Sequence, residues 1–176
     1  MVSIPRKVQV AALALALSAA VPTRPAAGRR ADPDRLFVIR RSLNANVVVY
    51  DAVRDKAGRL DRDRPVTAFW LMNADQGERK DLNLIEKAEA YGFDVRPEPG
   101  DAAEIRLKAM EQRPIRVQLA GGRPQAVTRI AGQDAVLDLV YIRTKPGSSV
   151  HVQYVDLHGF SIRGHRPVRE RLTPSA

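Results

Sequence analysis

The chain of 176 residues contains no cysteine. That excludes a disulfide framework, a thiolate zinc site, an iron–sulfur cluster, a cysteine nucleophile and a lipid-anchored N-terminal cysteine. A domain of this size buries roughly two-thirds of its unfolded surface, so it folds without such staples. Aromatic side chains are few: one Trp, four Tyr and four Phe. The basic residues are interleaved with acids, as in Arg54-Asp55-Lys56 and Asp61-Arg62-Asp63-Arg64. Nucleic-acid recognition wants a basic stripe with stacking rings, so nucleic acid is not an expected partner. Catalytic signatures are missing too. Gly-x-Ser-x-Gly and Ser-x-x-Lys do not occur. Gly121-Gly122 and Gly147-Ser148-Ser149 lack the strand–loop–helix setting of a phosphate loop, so no cofactor is expected.

A long hydrophobic run is also missing. Val8–Val21 is free of charge for only fourteen residues, against about 20 for a membrane span. It follows Arg6-Lys7 and ends in Ser18-Ala19-Ala20, the order of a secretory signal. The expectation is a signal peptide over 1–20, cleavage before Val21, export to the periplasm or beyond, and no stable membrane anchor afterwards. Residues 21–34, rich in Pro, Ala and Arg, read as a disordered tether. The single domain then covers 35–174. The formal net charge is +9; without Arg6 and Lys7 it is +7, and without the tether (Arg24, Arg29 and Arg30 against Asp32 and Asp34) it is +6. A mixed solvated surface accounts for this, with attraction to anionic lipid or envelope polysaccharide as the alternative.

What is present is alternation. Ile105, Leu107 and Ala109 alternate with charged residues, then Ile115, Val117 and Leu119 do the same. Gly121-Gly122 predicts a tight hairpin. Further strands are expected over 37–41, 45–50, 66–72, 126–130, 135–143, 150–157 and 168–172, about nine in all. One helix is expected over Asn83–Tyr91, with Asn83 and Glu86 as a reciprocal cap, Leu84, Ala88 and Tyr91 packed on the sheet, and Gly92 ending it. With no βαβ alternation, the fold class is mainly β: an antiparallel meander forming a small barrel or sandwich.

Candidate chemistry is sparse. His151, His158 and His165 recur every seven residues, yet on a strand the first two lie some 20 Å apart at about 3.3 Å per residue, so no metal site is expected. Paired carboxylates would serve a hydrolase. Glu86 is explained by the cap, Glu89 by solvent, and Asp138 should point outward while Leu137, Leu139 and Tyr141 point in. A hydrolase would use Glu86, Asp156 or His158. A binding site is the preferred reading. Arg41, Asn44 and Asn46 form a polar cluster, with Asn44 suited to a left-handed turn. Tyr50, Trp70 and Tyr91 could line a cavity, with Trp70 and Tyr91 stacking and Arg41 pairing with an anion.

Three segments together carry a resemblance. They are Phe37–Ser42 leading into Asn44–Asp51; Phe69–Met72 followed by Leu82-Asn83-x-x-Glu86 and Ala90–Phe93; and Val152–Gly159 ending in Pro167–Pro174. In order and spacing these resemble the bacterial domain-of-unknown-function family 4833. The resemblance implies an exported, single-domain, β-rich protein and supplies no activity. The chain departs from the pattern in Asn83, where Thr is expected, and in lacking a lipobox cysteine. The expected function is therefore a non-catalytic module for a small apolar, amphipathic or envelope-derived ligand. The alternatives are an envelope protein–protein interaction module and an envelope hydrolase.

Overall fold

The computed structural model describes residues 32–73, 76–147 and 151–174, all within the compact unit Ala31–Ala176. The expected signal peptide and cleavage point, and the tether as far as residue 31, lie outside the described residues. Asp32 and Asp34 are tied to the body: Arg79 donates to Asp32, Arg54 to Asp34, and the Ala52 amide to the Asp34 carbonyl.

Eleven strands form one curled sheet, a half-barrel. They are β1 (Arg35–Arg41), β2 (Val47–Ala52), β3 (Val66–Met72), β4 (Glu78–Asp81), β5 (Phe93–Glu98), β6 (Ala102–Leu107), β7 (Ile115–Ala120), β8 (Arg123–Ile130), β9 (Gln133–Thr144), β10 (Val152–Ser161) and β11 (Pro167–Leu172). The order is β4-β3-β2-β1-β9-β8-β7-β6-β5, with β10 between β9 and β11. The sheet is mixed, which corrects the purely antiparallel meander: β1 runs parallel to β9 through Val38–Leu139 to Arg41–Ile142. Gly121 and Gly122 both adopt positive φ, the geometry a two-residue hairpin between β7 and β8 demands. Two strands beyond the expected nine are β4, whose sequence ERKD has no apolar residue, and β5, broken by Asp94, Arg96 and Pro97. β4 offers no period of two; β5 does, Phe93, Val95 and Pro97 alternating with Asp94, Arg96 and Glu98, but the proline inside it argues against a strand.

β9 organises the whole. Its first residues pair with β8 (Val136–Val127 to Gln133–Ile130) and its later ones with β1, while β10 accompanies it along the other side. The sheet therefore forks at Leu137–Asp138 into a β1–β4 wing and a β8–β5 wing. Asp138 is a bulge, since His158 faces Leu139 and Gly159 faces Leu137. It is exposed, as expected. The bulge also shifts the phase, so Leu139 and Tyr141 do not join Leu137 inside; Val140 and Ile142 do. The main core fills the concave side with Phe37, Ile39, Val48, Tyr50, Ile105, Leu107, Ile115, Val117, Leu137 and Leu157, all buried. A smaller cluster of Val47, Val49 and Phe69 sits on the opposite face, so β2 is buried on both sides.

The expected helix is a short wide turn, Glu86–Ala90, preceded by one helical step at Leu84-Ile85. Leu84 is 84% and Ile85 71% exposed, and Ala88 is exposed, so these residues do not pack on the sheet. Tyr91 alone of the expected face is buried, with Leu82 anchoring the other end. The reason lies in the backbone. The Tyr91 amide bonds to the Glu86 carbonyl five residues back, which overwinds nothing but widens the turn and rotates the apolar stripe outward.

Candidate functional site

The wide turn is built from its ends. At its start the cap forms as expected: the Asn83 amide donates to Glu86 Oε2, and the Glu86 amide donates to Asn83 Oδ1, both at 2.9 Å. At its end the widened backbone drives the Lys87 carbonyl against residue 92. A Cβ there would lie 1.7 Å from Lys87 O, so only glycine fits. Gly92 thus ends the turn by close approach and not by left-handed φ. The Lys108 amide then donates to the Gly92 carbonyl, which ties the turn to the 3-10 turn Lys108–Met110.

Aromatic side chains pin this turn to the sheet. Tyr50, fully buried on β2, stacks on Phe37 at 4.4 Å and donates its hydroxyl to the Tyr91 carbonyl at 2.6 Å. Burial pushes the Tyr50 phenol far above its ordinary pKa, so it stays a donor. Trp70 meets Tyr91 edge-on at 5.3 Å and donates its indole N–H to Glu86 Oε1 at 3.1 Å. Arg41 Nη1 donates to the Tyr91 hydroxyl at 3.2 Å. Four of the six expected binding residues, Arg41, Tyr50, Trp70 and Tyr91, are therefore one connected group. Its members reach different spaces. Tyr50 is enclosed, Arg41 and Tyr91 line a large cleft, and Trp70 lines a separate hollow of 260 Å³ with Asn44, Asn46, Asn83 and Glu86. In the turn after β1 the left-handed residue is Leu43 (φ 65°), not Asn44. Asn44 instead accepts the Asn46 amide at 2.9 Å.

A cleft lies at this end of the half-barrel. Its volume is about 810 Å³. The floor comes from Ile39, Val140, Ile142, Val155 and Leu172 on β1, β9, β10 and β11, and the opposite wall from Leu107, Met110 and Tyr91. Arg41, Lys145 and His151 line it as bases, and Glu89 is the one carboxylate among its lining residues. Arg41 stands at the end of β1, while Lys145 and His151 flank the β9–β10 turn, where the Lys145 amide donates to the His151 carbonyl. Ser42 and Thr144 clasp β1 to β9 here through a 3.0 Å hydroxyl pair and the Thr144 amide. Two further hollows, of 530 and 390 Å³ near the β8–β9 turn, are lined chiefly by polar residues such as Arg129, Gln133, Asp134 and Arg163. Sequence reasoning missed Lys145, His151 and the apolar floor. Alternation marks each floor residue as inward, but nothing in a single strand tells a filled interior from an open one.

The hydrolase candidates lie apart. Leu157 faces the main core, so Asp156 and His158 face the other side of β10. The buried Asp156 carboxylate takes 2.8 and 2.9 Å bonds from Arg171 and a 2.6 Å bond from Arg169. These bonds, Arg171's foremost, hold it well below the usual carboxylate range against the opposing pull of burial. Arg171 also covers the Tyr154 ring at 3.7 Å. Both Glu86 oxygens are engaged by the cap and by Trp70. Among the described residues no three His, Asp or Glu side chains group as metal ligands.

No curated protein and no solved structure matches the chain. One family profile does, that described as "Domain of unknown function (DUF4833)", over residues 37–171. That span reaches all eleven strands, omitting only the first two residues of β1 and the last of β11, and covers the segments on which the resemblance rested as far as Arg171; the chain belongs to the DUF4833 family.

Proposed function

We propose that this protein is an exported, non-catalytic binding module that holds a small apolar or amphipathic ligand in the cleft between the wide turn and the β9–β11 end of the sheet. The observation that carries the reading is the cleft itself. At about 810 Å³ it falls in the range of ligand pockets, roughly 300–1,000 Å³, and its floor is aliphatic. Export rests on the order of residues 1–20, a basic start, a fourteen-residue apolar run and small residues after it. The carboxylates that a hydrolase would use are engaged in a cap and in ion pairs, which favours binding over catalysis. An interaction module growing by strand addition is disfavoured by the sheet edges. β4 is wholly charged, β5 carries Pro97, and β11 carries Pro167 and Arg169-Glu170-Arg171.

The test is fluorescence titration with N-phenyl-1-naphthylamine, a neutral apolar probe. The parent protein should enhance its emission saturably at one site. Ala109→Trp, at an exposed position on the cleft wall, should fill the space and weaken binding at least fivefold. No saturable enhancement by the parent, or equal binding by Ala109→Trp, would remove the reading.

A further inference from the structure

We infer that the cleft takes a carbonyl-bearing amphiphile, its aliphatic chain on the floor and its ketone, ester or amide oxygen on the hydroxyl proton of Tyr91; this rests on the cleft being a binding site. The lining separates the two parts. Ile39, Val140, Ile142 and Val155 on the floor offer no hydrogen-bonding side chain. A polar group laid there would lose its hydration without compensation. The polar side chains of the lining stand elsewhere, and they differ in burial. Glu89, Lys145, His151 and Thr173 are exposed, where water competes for the bonds they make. Arg41 is half-buried, and Tyr91 is only 5% exposed. Tyr91 is therefore the polar residue of the lining that is withdrawn from solvent.

Its hydroxyl has a proton to give. A phenol hydroxyl carries one donor and acceptor lone pairs, whereas a guanidinium only donates. The 3.2 Å bond from Arg41 Nη1 therefore uses a lone pair of the Tyr91 oxygen and leaves its proton unspent. No acceptor for that proton stands among the described residues. Arg41 and Tyr91 both line the cleft, and the hydroxyl is the atom at which they meet. Hydrogen bonds in a chain polarise one another, so the bond from Arg41 makes the Tyr91 hydroxyl a better donor and a poorer acceptor. The residue is also fixed from behind: Tyr50 donates to its carbonyl at 2.6 Å, and Trp70 meets its ring edge-on at 5.3 Å. Solvent can meet the proton in an open cleft. A purely apolar ligand that displaces solvent leaves the donor unsatisfied, whereas a ligand carbonyl, which only accepts, restores the bond. The floor selects the chain, and the Tyr91 proton selects the oxygen.

Two ligands of one shape separate the oxygen from the chain: 2-octanone and 2-methyl-1-octene, in which a methylene group replaces the carbonyl oxygen. Each competes with N-phenyl-1-naphthylamine below its solubility limit. Tyr91→Phe keeps the ring beside Trp70 and the backbone carbonyl that Tyr50 holds, and removes only the hydroxyl. It should weaken 2-octanone about fivefold, the effect of one neutral hydrogen bond, and leave the alkene and the probe within about twofold of the parent, circular dichroism confirming the fold. A second reading needs no variant. The carbonyl stretch of 2-octanone bound to the parent should lie below its position in hexane, as a hydrogen-bonded carbonyl does. In Tyr91→Phe it should return to the hexane position. A ketone that the substitution does not weaken, or an alkene weakened as much, would show that the hydroxyl does not read the oxygen. A stretch unmoved from hexane in the parent, or shifted equally in Tyr91→Phe, would show the same. Each of these outcomes, like a bound probe that neither ligand displaces, overturns the inference while the apolar cleft stands. If the probe itself does not bind the parent, the cleft reading falls as well.

Discussion

Tyr50 shows how one side chain can be structural and yet decide a site. Its ring belongs to the core through Phe37, and its hydroxyl reaches the carbonyl of Tyr91, a residue that lines the cleft. A polar tip inside an apolar body is how tyrosine is commonly used when buried. Tyr50→Phe keeps the ring and leaves the Tyr91 carbonyl without that donor. The expected loss is about 1–3 kcal/mol, read as a lower urea midpoint with an unchanged slope. A midpoint equal to the parent's would mean that the carbonyl finds another partner and that the turn is not pinned here. The aromatic identities were legible in the sequence, as were the Asn83–Glu86 cap and the Gly121-Gly122 hairpin. The role of Tyr50 was not, because a stacking tyrosine in a cavity and one bonded to a backbone carbonyl have the same spacing. Gly92 was placed correctly for a different reason: its lack of a Cβ answers the Lys87 carbonyl, which only the widened turn brings near.

At the scale of elements, strands marked by clean alternation or by a β-branched apolar run were readable, whereas the wholly charged β4 and the proline-containing β5 were not. β6 and β8 alternate in burial along their whole length, and β7 over its first half. β9 does so only until the Asp138 bulge, after which the buried set changes parity; a bulge is a property of two strands and leaves no mark in one. The β10–β11 pair makes a testable case. Asp156 is buried, whereas Arg169 and Arg171 are about half exposed. Removing the arginines leaves a carboxylate without its partners, and burial then raises its pKa. In the parent the folded pKa is depressed, so the stabilisation is present above the ordinary carboxylate range and is lost as pH falls below about 4. In Arg169→Gln/Arg171→Gln the sign reverses. The urea midpoint of the variant should lie well below the parent's at pH 7, and the gap should narrow steadily towards pH 4. A gap that is constant with pH would show that the arginines act through packing on Tyr154 and not through charge.

For the whole molecule the fork is the feature that no sequence pattern announced, because it depends on residues about a hundred positions apart meeting side by side. β9 gives one edge to β8 and then to β1, so each wing completes its hydrogen bonding on the same strand. Neither wing is a separate sheet, and the concave core is continuous from Phe37 and Tyr50 to Ile115 and Val117. The cleft exists because the wings diverge past the fork and two short turns, not another strand, close the space between them. If β9 is the shared spine, the wings cannot unfold independently. Trp70, the single tryptophan, reports on the β1–β4 wing, and far-ultraviolet circular dichroism reports on all eleven strands. The two signals should follow one urea transition with the same midpoint and slope. Leu137→Ala, at the fork, should cost about 2–5 kcal/mol and move both signals together, although Leu137 lies in neither wing. A tryptophan transition that separates from the circular dichroism, in the parent or in Leu137→Ala, would make the wings distinct cooperative units. The cleft would then lie across a joint between two such units, and a ligand seated in it would be expected to bring the two transitions back together.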